Sequence, residues 1–170
     1  MASIEYRRLK GESDAHLWRK IRLEALRVSP DDFLTQYADV VDRPFESFVS
    51  NLENGVTCAA IADGEAVAVM VLIPETLSAA AHRASLVAVY VRPDQRGTGV
   101  AKAVFKTLLD EAPAEVTQIE LYVREGNARA EAFYSRLGFV EYGRLPDAAR
   151  VGGESQTDIL MRLKVPLREG

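Results

Sequence analysis

The sequence has few cysteines, no large excess of charge of one sign and no long apolar run. Cys58 is the only cysteine among 170 residues, so an internal disulfide is impossible, and its apolar surroundings indicate packing rather than reactivity. The formal net charge is -4, which argues against a general nucleic-acid binder because such proteins carry a basic surface. No run is long enough to span a bilayer, and the first residues contain no apolar signal region. We therefore expect no nucleic-acid partner, no membrane association and a cytoplasmic location.

The rest of the composition is that of an ordinary globular chain. Hydrophobic residues make up 48% and charged residues 27% of the sequence. The length is sufficient for one domain with a sizeable core. No internal repeat, low-complexity run or linker is visible, so we predict a single domain over residues 1–170.

Apolar periodicity and turn residues predict the element order β-α-α-β-β-β-α-β-α-β-β, which is one α/β domain with a mixed sheet. The predicted strands are Ile4–Leu9, Thr57–Ala62, Ala66–Ile73, Arg83–Val91, Gln118–Val123, a short strand from Val140, and Thr157–Val165. The first predicted helix is capped by Ser13 or Asp14 and has an apolar face of Leu17, Ile21, Ala25 and Val28. The other predicted helices run from Pro44 to Asn54-Gly55, from Gly99 to Pro113 and from Ala128 to Leu137. Asp63-Gly64 predicts a tight hairpin, and Arg144–Gln156 is interpreted as a polar loop.

The clearest functional signal is a glycine-rich turn between a strand and a helix. The β-branched run Leu86–Val91 predicts a buried strand, and Gly97 and Gly99 directly precede a helical pattern. This order places free backbone N–H groups at the positive end of a helix dipole, which is a site for a phosphate or pyrophosphate. Arg96 and Lys102 add positive charge nearby.

Other phosphate-binding classes fit this turn less well. The P-loop pattern G-x-x-x-x-G-K-[ST] is absent, and the dinucleotide pattern G-x-G-x-x-G is incomplete because Lys102 replaces its third glycine. A Rossmann-like nucleotide-binding domain also needs an acidic residue about 20 positions further on. Glu120 lies near that distance but inside a predicted strand, so this class is kept as an alternative.

Two motifs carry a resemblance to a known family. The run Arg96-Gly97-Thr98-Gly99-Val100-Ala101 is similar to the acyl-CoA pyrophosphate motif of the GNAT superfamily of N-acetyltransferases, written Q/R-x-x-G-x-G/A. The run Asn127–Phe139 resembles that family's second signature, N-x-x-A-x-x-x-Y-x-x-x-G-F, with matches at Asn127, Ala130, Tyr134, Gly138 and Phe139. Without the first motif, the alternative interpretation is that Asn127 caps a helix and that Tyr134 belongs to the core. The resemblance implies a mostly antiparallel central sheet with helices on both faces.

The family resemblance also implies an activity and a cofactor site. The activity is direct transfer of an acetyl group from acetyl-CoA, as co-substrate, to a primary amine in a ternary complex, without a metal. The implied cofactor-binding residues are Val89, Tyr90, Val91, Arg96, Gly97, Thr98, Gly99, Val100, Ala101, Lys102, Asn127 and Tyr134. Backbone groups of Val89 and Val91 would bind the pantetheine arm, and a bulge there would aim one N–H at the thioester carbonyl.

The resemblance implies Tyr134 as the general acid. A phenol of pKa about 10 is only slightly mismatched with a thiol of pKa about 8.5, so a hydrogen bond from the phenol can assist departure of the thiolate. For the base, Glu120 is our first candidate, Tyr90 and Tyr122 follow, and ordered water is the alternative.

The acceptor is left open by the sequence. Residues 31–42 fall where the first two helices of the family wall the acceptor cleft, so Phe33 and Tyr37 are candidate substrate-binding residues, and the aspartates there could attract an amine. A solvated loop with two anchoring aromatics is the alternative. Protein N-termini, lysines, polyamines, amino acids and drugs all remain open as acceptors. A non-catalytic acyl-CoA sensor on the same fold is the alternative function, and a homodimer is possible.

Overall fold

The computed structural model describes residues 3–168 and has the predicted order of helices and strands. The strands are β1 (Ile4–Arg8), β2 (Val56–Ala62), β3 (Glu65–Pro74), β4 (Arg83–Val91), β5 (Gln118–Arg124), β6 (Val140–Val151) and β7 (Glu154–Lys164). The helices are α1 (Gly11–Val28), α2 (Phe45–Asn54), α3 (Val100–Glu111) and α4 (Ala128–Leu137).

The seven strands form one sheet in the order β1-β2-β3-β4-β5-β7-β6. The pairs β1–β2, β2–β3, β5–β7 and β6–β7 are antiparallel, whereas β4 and β5 are parallel. The predicted fold class, a mostly antiparallel sheet with helices, is confirmed. The antiparallel pairs exclude the doubly wound parallel sheet that a Rossmann-like domain requires.

Backbone contacts divide the chain into two compact units. The first unit runs to Ile73 and includes Leu86–Ala112, and the second comprises Pro74–Ser85 and the residues from Pro113 onward. The single domain over residues 1–170 stays a prediction. No helix within residues 3–168 has the combined length and hydropathy needed to cross a membrane.

In the first unit, the sheet separates two layers of helices. Side chains alternate between the two faces of β2, so Ala59 and Ile61 share one face and Cys58 and Ala60 the other. The face of Ala59 and Ile61 packs in one apolar cluster with α1 and α2. Helix α3 contacts β1 and β2 and buries Val104 with its neighbours. The core is therefore built on both faces of the sheet.

In the second unit, local signals position α4. The Asn127 side chain accepts a hydrogen bond from the backbone N–H of Ala130 at 3.2 Å, and Gly138 ends the helix with a φ of +99°. The Phe139 ring packs edge-on against Tyr134, with 5.7 Å between ring centroids. The predicted caps and the predicted return contact of Phe139 are thereby confirmed.

The interpretation of Arg144–Gln156 as a polar loop is wrong. This segment forms most of β6, the turn at Gly152-Gly153 and the beginning of β7. Both turn glycines have positive φ, +59° and +82°, which closes a tight hairpin. The side chains of β6 are mostly exposed, so the strand is stabilised by its backbone pairing with β7. For the same reason its sequence has no alternation of apolar and polar residues that would predict a strand.

The beginning and the buried face of α1 also differ from the prediction. Lys10, rather than Ser13 or Asp14, is the N-cap, and the carboxylate of Asp14 accepts the backbone N–H of Lys10 at 2.7 Å. Val28 is 50% exposed, whereas Trp18 is 5% exposed. The buried stripe is therefore rotated toward Trp18, because a large indole gains more from burial than the terminal valine.

The two predicted turns that flank β2 differ in their backbone conformation. The hairpin at Asp63-Gly64 is confirmed, with φ of +50° and +77° at the two residues. Gly55, which was predicted to end α2, does follow the helix, with an extended φ of -142°. A Cβ on Gly55 would lie 3.2 Å from the carbonyl oxygen of Leu72, so a close approach to β3 requires the glycine.

Candidate active site

The glycine turn joins β4 to α3 in the first unit. Gly97 and Gly99 have φ of +75° and +88°, and Gly99 is the N-cap of α3. A Cβ at either position would meet nothing within 4 Å, so the backbone conformation, and not lack of space, requires glycine. The N–H of Ala103 donates to the carbonyl of Gly99 at 3.1 Å. The N–H groups that come before Ala103 in the first turn of α3 have no acceptor within the helix and can bind an anion.

Side chains of the turn hold its shape. The Nε of Arg96 donates to the carbonyl oxygen of Val91 at 3.1 Å, and the hydroxyl of Thr98 donates to the carbonyl of Gln95 at 2.6 Å. Arg96 therefore ties the turn to the last residue of β4 as well as adding charge. Lys102 lies exposed on the first turn of α3.

The backbone of β4 is distorted next to Val89, where we predict a bulge. Ala88 has a φ of +52°, which is uncommon for a residue with a side chain. Val87 and Ala88 line the same cavity, although consecutive side chains of a regular strand point to opposite faces. The positive φ at Ala88 therefore reorients the peptide groups around it.

Tyr90 is buried beside α1 and is bound to an acidic residue. Its hydroxyl donates to Oε1 of Glu24 at 3.1 Å, and Arg92 binds the same carboxylate at 2.8 Å. Burial, followed by the negative charge of Glu24, raises the pKa of Tyr90 to about 12. Tyr90 is therefore protonated at neutral pH, which disfavours its role as a base.

Glu120 lies on β5 in the second unit, opposite the beginning of β4. The parallel pairing joins Arg83–Ser85 to Gln118–Glu120. Arg83 donates to both carboxylate oxygens of Glu120, at 2.8 and 2.6 Å, and Gln118 donates to one of them at 2.7 Å. The hydrogen bonds from Arg83 hold the pKa of Glu120 below its usual value, although burial acts in the opposite direction. These hydrogen bonds make the carboxylate of Glu120 a weaker base. The catalytic role of Glu120 stays a prediction.

The remaining predicted catalytic residue, Tyr134, also belongs to the second unit. It lies on α4 and is 8% exposed. Its ring packs between Phe133 and Phe139, at centroid distances of 5.4 and 5.7 Å. Glu120, Asn127 and Tyr134 thus belong to one unit, whereas the residues of β4 and the glycine turn from Val89 to Lys102 belong to the other.

The predicted acceptor residues have structural partners in the first unit. Phe33 is 8% exposed and lies beneath the guanidinium of Arg22, 4.9 Å from its carbon. The hydroxyl of Tyr37 accepts a hydrogen bond from Arg27 at 2.9 Å. The Asp39 carboxylate accepts the N–H of Gln36 at 2.8 Å and so holds the loop. The role of Phe33 and Tyr37 in substrate binding stays a prediction.

A cavity of about 240 Å³ lies in the first unit, among α1, α2, the segment between them and strands β2 to β4. Its polar wall includes Trp18, Arg22, Arg43 and Thr57, none of which the sequence suggested as a site residue. The spacing of four between Trp18 and Arg22 does place them on one face of α1. No group of three or more His, Cys, Asp and Glu arranged to hold a metal ion occurs within residues 3–168.

The chain belongs to the acetyltransferase (GNAT) family, whose family model matches residues 18–139. It is 33% identical, over 66 residues, to an L-methionine sulfoximine/L-methionine sulfone acetyltransferase of Pseudomonas aeruginosa. That match spans 38% of this chain and 38% of the curated relative.

Two solved structures show the same fold. A GNAT-family acetyltransferase from Streptococcus pneumoniae has a TM-score of 0.85 at 16% identity, over 96% of this chain and 100% of that one. The protein yncA from Salmonella typhimurium, solved with its cofactor acetyl-CoA, has a TM-score of 0.80 at 15% identity, over 99% of this chain and 98% of that one.

Proposed function

We propose that this protein is an acetyl-CoA-dependent N-acetyltransferase that acts on a primary amine. The observation that carries the proposal is the glycine turn, in which Gly97 and Gly99 take positive φ directly before α3. This arrangement is suited to the pyrophosphate of acetyl-CoA, with N–H groups from Gly97 to Ala101 as donors and Lys102 as a nearby charge. The N–H of Arg96, which the sequence also suggested, already donates to the carbonyl of Pro93 at 3.4 Å. Membership of the acetyltransferase (GNAT) family supports this assignment.

The distorted end of β4 is suited to the thioester. The positive φ of Ala88 reorients the peptide groups next to Val89, and one N–H there would donate to the thioester carbonyl. A fixed donor there would stabilise the negative charge that develops on the carbonyl oxygen during attack. The carbonyl of Val91 already accepts a hydrogen bond from Arg96, which leaves one lone pair for the pantetheine arm.

In the proposed reaction, the amine lone pair attacks the thioester carbon. A C–N bond forms and the C–S bond breaks, and the departing sulfur receives a hydrogen bond or a proton from the hydroxyl of Tyr134. The nitrogen loses a proton to solvent as the amide forms, and solvent restores the hydroxyl of Tyr134 where it has given its proton away. Asn127, at the beginning of the same helix, would contact the cofactor arm or its phosphates. The site needs only one such acid because a thiolate is already a good leaving group.

The proton of the attacking ammonium needs an acceptor. We keep Glu120 as the first candidate, although its ion pair with Arg83 lowers its basicity and widens the mismatch with an alkylammonium of pKa about 10. Ordered water that relays the proton is the alternative that this ion pair favours.

The proposal is tested first by cofactor binding. Excess acetyl-CoA should raise the melting temperature, whereas ATP and NAD should not, because a ligand at about 100 times its dissociation constant adds about 2.7 kcal/mol of stability. Absence of a shift with acetyl-CoA would contradict the assignment of the glycine turn. A shift without thiol release from any amine would favour the non-catalytic acyl-CoA sensor.

Turnover then tests the role of Tyr134. The variant Tyr134→Phe should bind acetyl-CoA as the wild type does but release thiol about 100-fold more slowly, the low end for general-acid catalysis. Tyr6→Phe, which removes a hydroxyl from β1, is the matched control and should keep full turnover. Full turnover by Tyr134→Phe across the pH range would show that the acid assignment is wrong.

A further inference from the structure

The cavity in the first unit has two cationic side chains and no anionic one. Arg22 from α1 and Arg43 from the segment before α2 both contribute to its wall. None of the described residues that line the cavity is an aspartate or a glutamate. Burial above all, and then the positive charge of Arg43, lower the pKa of Arg22 to about 10, so the two cations are close enough to repel each other. Arg22 is still charged at neutral pH, and an anion would relieve this repulsion.

Neither arginine has a carboxylate partner within residues 3–168. The guanidinium of Arg22 lies over the ring of Phe33, and Nε of Arg43 donates to the backbone carbonyl of Asp39 at 2.8 Å. Half-buried arginines such as Arg7 and Arg92 of the same unit are paired with carboxylates, whereas Arg19, Arg27 and Arg96 are not paired with one among the described residues. Arg22 combines this lack of a carboxylate partner within residues 3–168 with a buried nitrogen, Nη1, and a bound anion would compensate this.

Three donors that belong to residues lining the cavity also lack a partner in the described part of the chain. They are Nη1 of Arg22, the indole Nε1 of Trp18 and the hydroxyl of Thr57, and all three atoms are buried. Trp18 and Thr57 are 5% and 1% exposed. A buried donor without an acceptor is unfavourable, so native proteins almost always satisfy such groups. An oxygen-rich ligand group in this cavity would supply the acceptors.

We propose that the acceptor amine carries a carboxylate and that Arg22, with Arg43, Trp18 and Thr57, binds that carboxylate in this cavity. A guanidinium can donate two parallel hydrogen bonds to a carboxylate, which gives both strength and orientation. The inference rests on the proposed function, because it identifies the substrate class of the same acetyltransferase. The substrate class is a small amino acid, in contrast to a polyamine or another purely cationic amine.

The other wall of the cavity agrees with a small amino acid whose side chain is apolar. Val71 and Ile73 of β3 and Val87 and Ala88 of β4 add apolar surface to the wall of the cavity. Ala88 directly precedes Val89, whose backbone we propose to hold the thioester. A carboxylate at Arg22 would thus leave the amine of the same molecule free to approach the distorted part of β4.

The test compares ligands that differ only in the carboxylate. N-acetyl-L-leucine and N-acetyl-L-methionine are titrated against their primary amides, because none of these compounds has an amine whose titration could mask the effect. We expect each acid to bind at least about tenfold more tightly than its amide, as charge-assisted hydrogen bonds require. Arg22→Gln should abolish this preference and leave the affinity for the amides unchanged, and Arg43→Gln should reduce it.

Arg19→Gln is the matched control. Arg19 is an exposed arginine of the same helix that does not line the cavity, so its loss should leave the preference intact. Equal binding of acid and amide by the wild type, or an unchanged preference in Arg22→Gln, would overturn the inference. Arg43 is exposed, so Arg43→Gln remains informative if Arg22→Gln fails to fold.

Turnover separates this inference from the proposed function. L-leucine or L-methionine should have a lower KM than the corresponding amine without a carboxylate, with the difference lost in Arg22→Gln. Thiol release that is equally efficient with amines lacking a carboxylate would overturn the inference and keep the acetyltransferase. Arg22-dependent binding of the acids without acetylation of any amine would keep the carboxylate site and contradict the acetyltransferase.

Discussion

At the scale of single residues, Gly99 determines the shape of the candidate phosphate turn. Its φ of +88° lies in the left-handed region, where a side chain costs about 1–2 kcal/mol. The space around it is open, so a small side chain there strains the backbone without a clash. Gly64, in the β2–β3 hairpin, has a similar φ of +77° and equally open surroundings. The two glycines therefore form a matched pair in which only one belongs to the candidate site.

We predict that Gly99→Ala and Gly64→Ala lower the free energy of unfolding by a similar amount, about 1–2 kcal/mol. Only Gly99→Ala should also weaken acetyl-CoA binding, because the change in φ moves the N–H groups that face the pyrophosphate. Gly99→Glu should abolish binding by adding a negative charge to the turn. Denaturant unfolding and acetyl-CoA titration measure the two effects. Equal acetyl-CoA affinity in all the variants would contradict the placement of the pyrophosphate on this turn.

The residues of the turn were predictable from the sequence because their roles are local. A glycine between a strand and a helix signals its own backbone conformation. Arg22 and Thr57 gave no such signal, since an unpaired guanidinium and an unpaired hydroxyl become visible only when distant elements are packed. The ion pair of Glu120 with Arg83 was missed for the same reason, because 37 positions separate the two residues in the chain.

At the scale of elements, local chemistry again decided what the sequence could predict. The bounds of α4 were predictable because Asn127 and Gly138 act on the residues next to them. Strand β6 was not predictable, because its exposed residues lack alternation and its pairing with β7 is a property of two segments. The second signature motif thus lies on α4, a helix whose first and last residues can be predicted from the sequence.

The cap of α4 allows the structural and functional roles of Asn127 to be separated. Asn127→Asp keeps an oxygen that can accept the N–H of Ala130, so the stability should remain close to that of the wild type. Asn127→Ala removes the acceptor and should lower the free energy of unfolding by about 1 kcal/mol.

Acetyl-CoA binding should respond differently to the same two variants. The carboxylate of Asn127→Asp would repel the phosphates, so this variant should bind more weakly than Asn127→Ala despite its greater stability. Thermal unfolding and acetyl-CoA titration of both variants provide the comparison. Binding that follows stability in both variants would mean that Asn127 is a helix cap alone.

At the scale of the whole molecule, one strand belongs to both compact units. The first three residues of β4, Arg83–Ser85, fall in the second unit and the remainder in the first. The backbone of one continuous strand cannot unfold in one unit without affecting its neighbouring residues in the other. The single domain over residues 1–170 stays a prediction, and the unfolding of the whole chain tests it.

The protein has natural reporters for the first unit. Trp18 is the only tryptophan of the sequence, so fluorescence reports the packing around α1. Cys58 is the only cysteine and is fully buried on β2. Burial raises the pKa of its thiol to about 12, so the folded protein should hardly react with thiol reagents. Labelling of Cys58 therefore measures opening of the first unit.

We predict that unfolding in urea is one cooperative transition. Tryptophan fluorescence, Cys58 labelling and far-ultraviolet circular dichroism, which also detects β5, α4, β6 and β7 of the second unit, should have the same midpoint. The free energy of unfolding should then decrease with urea concentration with a single slope, and that slope should correspond to the surface exposed when the whole chain unfolds. A circular-dichroism transition that precedes the change in Trp18 fluorescence would show that the second unit unfolds separately and that the chain is not a single cooperative domain.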